Sequence, residues 1–260
     1  MEEVYTNDKQ FAQINSGKKN EVNKVDTKYI PFFHAKSVKL KTLNELSKSL
    51  CKIKLNSANG TGFFLKINTN NKPLNMLVTA HHVVSYRLAE AKASIVIILD
   101  DENSKEKKSQ KIKLDVNKRK MIFLAEEADK NKLIKKEYFD LSAIEIIDKD
   151  NLKDKVNFLE YDLNCKKGNY NNYLKDAFIL HHPYGVEDLK FSSGNIVVIN
   201  DSKRSFEHTL DTNEGSSGSP IFLIDNENDN PKVIAVHTSA KTVDKNNIGI
   251  FIDALIQGLK

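Results

Sequence analysis

Gly215-Ser216-Ser217-Gly218-Ser219-Pro220 presents a serine on a turn whose small neighbours leave room for a substrate carbonyl to approach backbone N–H groups. Ser217 is the candidate nucleophile, because it alone has a glycine two positions before it and another directly after it. Ser216 and Ser219 then read as structural. A glycine-framed serine is common in loops, so its weight comes from what stands upstream. Thr79-Ala80-His81-His82-Val83 and Phe139-Asp140-Leu141-Ser142-Ala143-Ile144 precede it in that order. A serine hydroxyl becomes nucleophilic when an imidazole takes its proton and a carboxylate holds that imidazole in the right tautomer. His82, Asp140 and Ser217 can fill those three roles.

The sequence around these motifs has a strand rhythm. Short apolar, β-branched runs span Cys51 to Leu55, Gly62 to Ile67, Leu74 to Ala80, Ser94 to Leu99, Lys111 to Val116, Met121 to Leu124 and Leu141 to Ile147. A charged stretch from Asp148 to Lys155 follows. A second series then runs through Ala177 to His181, Asn195 to Ile199, Phe206 to Leu210, Ser219 to Ile224, Lys232 to His237 and Ile248 to Ile252. Two sets of about six strands predict an all-β fold of two antiparallel six-stranded β-barrels. Leu255, Ile256 and Leu259 at helical spacing predict a short C-terminal helix over 252–259. Residues 1–45 are polar and Lys- and Asn-rich, and read as an N-terminal extension, partly ordered at best. The first barrel is expected over 46–155 and the second over 156–260, with 46–260 together one domain. The polar insertions 102–110, 126–137, 166–172 and 225–230 read as solvated connections between strands.

Composition narrows the function classes. With 40 Lys+Arg against 35 Asp+Glu the formal net charge is +5, and the basic residues alternate with acids, so a nucleic-acid partner is not expected. Cys51 and Cys165 follow no metal-ligand spacing, and two buried or free thiols are expected rather than a metal site. No basic and apolar leader opens the chain and no 18-residue apolar run occurs, so neither a membrane span nor a signal peptide is expected. The expected location is cytoplasmic; export by another route, or as a processed mature chain, stays open.

Met76-Leu77-Val78-Thr79-Ala80 reads as a buried strand that ends at the histidine pair, where a loop or single helical turn begins. Either histidine could reach a cleft. The spacing of the motif selects His82 as base and leaves His81 for packing or hydrogen bonding. Asp140 opens an apolar run, which places its carboxylate at a barrel rim where it can be shielded and still accept hydrogen bonds. The N–H groups of Gly215 and Ser217 are the candidate oxyanion hole.

Gly60-Thr61-Gly62-Phe63-Phe64, Leu77 to Val84, Asp140 to Ile144, and Gly215 to Pro220 followed by Val233-Ile234-Ala235-Val236-His237 resemble the trypsin-like serine peptidases, chymotrypsin-fold enzymes. Within them the segments are most similar to the glutamyl endopeptidases and exfoliative toxins. The resemblance covers about 46–259. It implies two six-stranded barrels with the triad in the cleft between them, His82 and Asp140 from the first and Ser217 from the second. A polypeptide substrate and no cofactor are implied as well.

In the glutamyl subgroup a threonine five residues before the nucleophile and a histidine on a later strand bind the substrate's acidic side chain. The matching positions are Thr212 and His237. An imidazole and a hydroxyl can both donate to a carboxylate, so preference for Glu before the scissile bond is expected. Asp211 stands six residues before Ser217, where trypsin-like enzymes carry the carboxylate that recognises Arg or Lys, so a basic preference stays open. No Arg-Ile-Val-Gly-Gly-like activation site precedes the first barrel, a departure from trypsin-style activation. His181-His182-Pro183-Tyr184-Gly185 reads as a structural turn, and His34 and His208 have no readable role. The expected function is a serine endopeptidase acting through an acyl-enzyme on Ser217. The alternative is a catalytically inactive peptidase-fold module that binds peptides in the same cleft. Nothing in the sequence specifies an oligomeric state.

Overall fold

The computed structural model describes residues 12–13, 29–31, 37–55, 59–69, 72–99, 108–125, 134–136, 139–186, 188–224, 230–240 and 246–259. Three short strands come first: β1 (Ala12–Gln13), β2 (Tyr29–Pro31) and β3 (Ser37–Lys39). Helix α1 (Leu40–Ser47) follows and buries Leu43 and Leu46 in the core, so the end of the polar N-terminal region packs on the fold. The rest of the expected extension, 1–11, 14–28 and 32–36, lies outside the described residues.

The first half of the chain supplies β4 (Leu50–Lys54), β5 (Asn59–Ile67), β6 (Leu74–Thr79), β7 (Ser94–Leu99), β8 (Lys108–Lys113), β9 (Met121–Ala125), β10 (Ile134–Lys136) and β11 (Leu141–Glu145). A short helix, α2 (Tyr86–Glu90), lies between β6 and β7. These strands form one sheet in the order β10-β9-β11-β6-β5-β4-β7-β8. The second half supplies β12 (Asp176–His181), β13 (Lys190–Asn200), β14 (Ser205–His208), β15 (Pro220–Leu223), β16 (Val233–Ala240) and β17 (Asn247–Phe251). They run in the order β13-β12-β15-β16-β17-β14, and β14 pairs back onto β13 to close the ring. The helix expected at the C-terminus is α3 (Asp253–Gly258).

The chain is therefore mostly β, with one closed six-strand barrel and one curled half-barrel sheet. The closed barrel is the second unit. The first stays open, with β8 at one edge and β10 at the other. β10 falls within a stretch that reads as a polar connection, and it pairs in parallel with β9 through Ile134↔Phe123 and Lys136↔Ala125. Residues 102–107, 126–133, 137 and 225–229 of the expected insertions lie outside the described residues.

Inward and outward residues alternate along β7, where Ile95, Ile97 and Leu99 are buried between half-buried Ser94, Val96 and Ile98. β5 and β6 instead are buried on both faces. Phe64 and Leu77 point into the half-barrel's own core, whereas Phe63, Leu65, Met76 and Val78 join a larger core shared with Phe178, Ile221 and Val236 of the second unit. Burial on two sides explains their almost unbroken apolar runs. Truncating a fully buried side chain such as Phe63 to alanine costs about 3–5 kcal/mol in cores of this kind.

The connection between the units is itself stitched to both. Leu159 exchanges backbone hydrogen bonds with β5 at Phe64 and Lys66, and Val233 of β16 does the same with Glu160 and Asp162. Arg119, buried beside the turn before β9, makes a bidentate ion pair with Asp150 at 2.8 and 2.9 Å. Both cysteines are buried, and neither is in a disulfide. Burial pushes the Cys165 thiol well up, so it stays protonated.

Candidate active site

The antiparallel register Ser142↔Thr79 brings the end of β6 and the start of β11 to the same rim of the half-barrel. Past Thr79 the chain makes one tight turn, with the Val83 and Val84 N–H groups donating to the Ala80 carbonyl. The Ser142 hydroxyl donates to the Val84 carbonyl at 2.8 Å and pins that turn to β11. Asp140 and His82 consequently meet. The His82 backbone N–H donates to Asp140 Oδ1 at 2.8 Å, and His82 Nδ1 lies 2.5 Å from Asp140 Oδ2. The hydrogen bond to Asp140 raises the His82 pKa above the ordinary imidazole value; partial burial opposes this, and the carboxylate's charge adds to the rise. With Nδ1 engaged and the side chain 51% exposed, the other ring nitrogen is available to a cleft. His81 turns the other way, its Nε2 accepting from the Tyr86 N–H and its ring set edge-on to Phe123.

The Ser217 turn rests on the half-barrel through two threonines. Thr61 N–H donates to the Ser217 carbonyl at 2.9 Å, Thr61 Oγ1 donates to the Gly215 carbonyl at 2.9 Å, and Thr79 Oγ1 donates to the Thr61 carbonyl at 2.8 Å. Gly218 has φ +92°, and a Cβ there would stand 2.1 Å from the Thr61 oxygen and 2.2 Å from Thr79 Oγ1. Only glycine fits that seam. On its far side the Gly218 N–H donates to the His237 carbonyl and the His237 N–H to the Ser219 carbonyl. Ser217 is thus held at the junction of the two units, on the same β5–β6 end from which His82 emerges. Its hydroxyl donates to the Thr238 carbonyl at 3.1 Å, and among the described hydrogen bonds none joins it to His82. Among the described backbone hydrogen bonds, the Gly215 and Ser217 N–H groups donate to none, which leaves two amides for an incoming oxyanion.

A polarised imidazole, a carboxylate behind it, a serine at the junction and two spare amides are the parts of a peptide-cleaving centre. A family model described as a trypsin-like peptidase domain matches residues 60–235. The chain belongs to the trypsin-like peptidase family. Among solved structures it is similar to a protease from Arthrobacter nicotinovorans, Anisep, at 15% identity over 78% of this chain and 90% of that one, with a TM-score of 0.52. It is similar also to the active form of the Rv3671c protease from M. tuberculosis, at 15% identity over 84% and 82% with a TM-score of 0.52. A thermostable serine protease from an extremophilic microorganism, AL20, has 13% identity over 82% and 95% with a TM-score of 0.55. At these identities the likeness shows the fold alone. No curated protein matches the sequence. As a peptidase domain the chain takes a polypeptide substrate. Among its described residues no helix is long and apolar enough to cross a membrane, and no group of three or more His, Cys, Asp or Glu is placed to hold a metal ion.

In this trypsin-like peptidase His237 lies on β16, 3% exposed, with Nδ1 3.3 Å from His208 Nε2 and the two rings edge-to-face. Burial lowers the His237 pKa to about 3, helped by His181 and His82, and with His237 beside it burial holds that of His208 well below its ordinary value. Both are neutral. Asp211 and Thr212 are half-buried in the segment that leads to the serine turn, which the Asn247 side chain fixes by donating to the Leu210 carbonyl at 2.6 Å. Among the described contacts none joins Thr212 to His237. Thr61 carries no assigned role in the sequence, and His208 has no readable one; its partner is 29 residues away. No signal local to those two residues would have distinguished them. His181 ends β12 and Pro183–Gly185 form a tight turn, in keeping with the structural turn expected there.

Proposed function

We propose that the chain is a serine endopeptidase that cleaves through an acyl-enzyme on Ser217. The observation that supports this most is the His82–Asp140 pair, half-exposed and with a raised imidazole pKa, beside a serine turn with two undonated amides. Ser217 Oγ swings from the Thr238 carbonyl by rotation about χ1, an exchange between staggered wells. It attacks the scissile carbonyl carbon while His82 Nε2 takes its proton. The oxyanion settles on the Gly215 and Ser217 N–H groups. Collapse expels the amine, which takes the proton from the His82 imidazolium, and water repeats the sequence to release the acid. Asp140 stays ionised throughout and steadies the imidazolium.

The primary pocket is assigned a preference for Glu before the scissile bond. His237 is the main donor, backed by His208, and Thr212 supplies a hydroxyl from the neighbouring segment. A substrate carboxylate reaching this linked pair of neutral imidazoles finds the one ring N–H that the pair does not spend on itself. Asp211, next to Thr212 in the same segment, is the group that would favour Lys or Arg instead.

Fluorophosphonate labelling of the full chain tests the chemistry. An adduct on the unsubstituted chain that disappears in Ser217→Ala supports it; absence of a Ser217-dependent adduct supports a cleft that binds peptides without turning them over. A peptide-library cleavage profile tests the pocket. Dominant cleavage after Arg or Lys would sink the Glu assignment.

A further inference from the structure

We propose that His181, which nothing in the reaction above uses, is a positioning residue that aims the oxyanion turn. The proposal rests on the peptidase reading. An N–H group points opposite the carbonyl of its own peptide plane, so fixing the carbonyl fixes the donor. For the Gly215 N–H that carbonyl is Glu214's, which accepts from the Tyr184 N–H. For the Ser217 N–H it is Ser216's, which accepts from the Ser219 hydroxyl at 2.6 Å and the Ser219 N–H at 3.2 Å. Ser216 sits between the two donors and sets the angle between them.

Ser216 is fully buried, and nearly all of its polar partners belong to its own turn. Its N–H donates to the Asn213 carbonyl and its Oγ accepts from the Asn213 N–H at 3.0 Å, besides the bonds from Ser219. The outside ties of the turn fall on Glu214, Gly215, Ser217 and Gly218, so a Ser216 bonded only within the turn could tilt between them and carry both donors out of line. His181 supplies the outside contact of Ser216 itself, its Nδ1 2.7 Å from Ser216 Oγ. It is suited to anchor the turn, because β12 is paired on both sides, with β13 and with β15, and His181 is itself fully buried.

The rest of the same loop completes the grip. The His182 N–H donates to Thr61 Oγ1 at 3.0 Å, the hydroxyl that in turn donates to the Gly215 carbonyl. Gly215 has φ +90°, and the space a Cβ would need there is taken by the His182 carbonyl at 2.6 Å and the Gly185 nitrogen at 2.7 Å. Lys52 of the half-barrel donates to the Gly185 carbonyl and ties this loop back across the junction. The turn at 181–185 is therefore the bed on which the oxyanion donors lie, and His181 is its link to the residue between them.

The test uses the full chain with His181→Ala, His181→Asn, Ser216→Ala and the double variant His181→Ala/Ser216→Ala. A peptide substrate gives kcat and KM, and a peptide boronate, which becomes a tetrahedral oxyanion on the serine, reports the donors. Removing a whole oxyanion donor costs on the order of 10²–10³ in kcat, so misaiming the pair is expected to lower kcat by about 10- to 100-fold. KM stays within about 3-fold, and boronate affinity falls in step with kcat. Asn, whose amide can donate or accept where Nδ1 stands, restores most of the loss. The double variant loses no more than the worse single one. Ser216→Ala removes only a hydroxyl and carries the test if His181→Ala does not fold. Unchanged kcat in Ser216→Ala, a loss confined to KM, a boronate affinity that does not follow kcat, or losses that multiply in the double variant overturns the role of His181 alone. An unsubstituted chain with neither turnover nor a Ser217 fluorophosphonate adduct overturns the peptidase reading, and this role with it.

Discussion

The two halves of the molecule treat histidine in opposite ways. On the open half-barrel His82 is half-exposed, faces a carboxylate and has a raised pKa. In and beside the closed barrel His181, His208 and His237 are buried and neutral, with pKa values pushed down. Closure makes the difference. A ring of six paired strands excludes water, and desolvation disfavours an imidazolium that has no carboxylate to meet it. The open sheet leaves a wet rim where Asp140 can hold His82 ready for a proton. On the proposed reaction, one half supplies a group that changes charge and the other supplies groups that do not.

The strongest way to break this contrast is to remove the carboxylate. Asp140→Asn is expected to lower kcat by roughly 10⁴-fold, as loss of the orienting acid does in this chemistry. The base must be neutral to accept the serine proton, so the activity rises through the His82 pKa. Losing the hydrogen bond that raises this pKa should move the ascending limb of the kcat/KM profile to lower pH. A limb that stays put breaks the assignment of His82 as the titrating base.

Next in size is the junction between the halves. Gly218 and Gly168 share a positive φ, +92° and +86°, but a Cβ at 168 meets nothing within 4 Å. Gly168→Ala is expected to cost about 1 kcal/mol, the strain of the left-handed conformation alone. Gly218→Ala adds a collision with Thr61 and Thr79 and is expected to cost about 3–5 kcal/mol. Urea unfolding of the two variants measures the difference. Equal losses would mean that the seam yields and does not hold the turn.

The smallest effect per step comes from acid. A histidine whose folded pKa is depressed binds its proton first in the unfolded chain, so stability is lost as pH falls below about 6.5, the ordinary value. For His181 and His237 the loss continues toward pH 3. Each contributes a slope of up to about 1.4 kcal/mol per pH unit. His82 acts with the opposite sign: its stabilisation is full below the unfolded value and fades as pH rises through the folded one. Denaturation midpoints from pH 7 to pH 4 should fall, and His208→Leu should flatten the curve. A flat curve for the unsubstituted chain would remove the contrast between the halves.

Much of this was legible in the sequence, for definite reasons. His82, Asp140 and Ser217 each close or open an apolar run, so the strand pattern itself placed them at element ends. The strand rhythm also predicted two β units. It does not report closure, which depends on register between strands distant in sequence. Nor did it show β10, whose Ile134-Lys135-Lys136 has no apolar alternation and becomes a strand by pairing with β9. His208 and His181 were illegible for a similar reason. Their roles depend on His237 and Ser216, 29 and 35 residues away, and only the packed barrel brings those rings and hydroxyls together.

The seam at Thr61 has a consequence for how the molecule comes into being. Thr61 grips Gly215 across 154 residues of chain, and Lys52 reaches Gly185 across 133. Contacts of such long range form late, because their loops must close before they repay the lost entropy. A nascent chain emerges with His82 and Asp140 long before the strands that carry and flank Ser217. On the proposed chemistry, the growing polypeptide is therefore harmless to itself and to its neighbours during synthesis. On the same chemistry, cutting power would arrive only when the last strands dock.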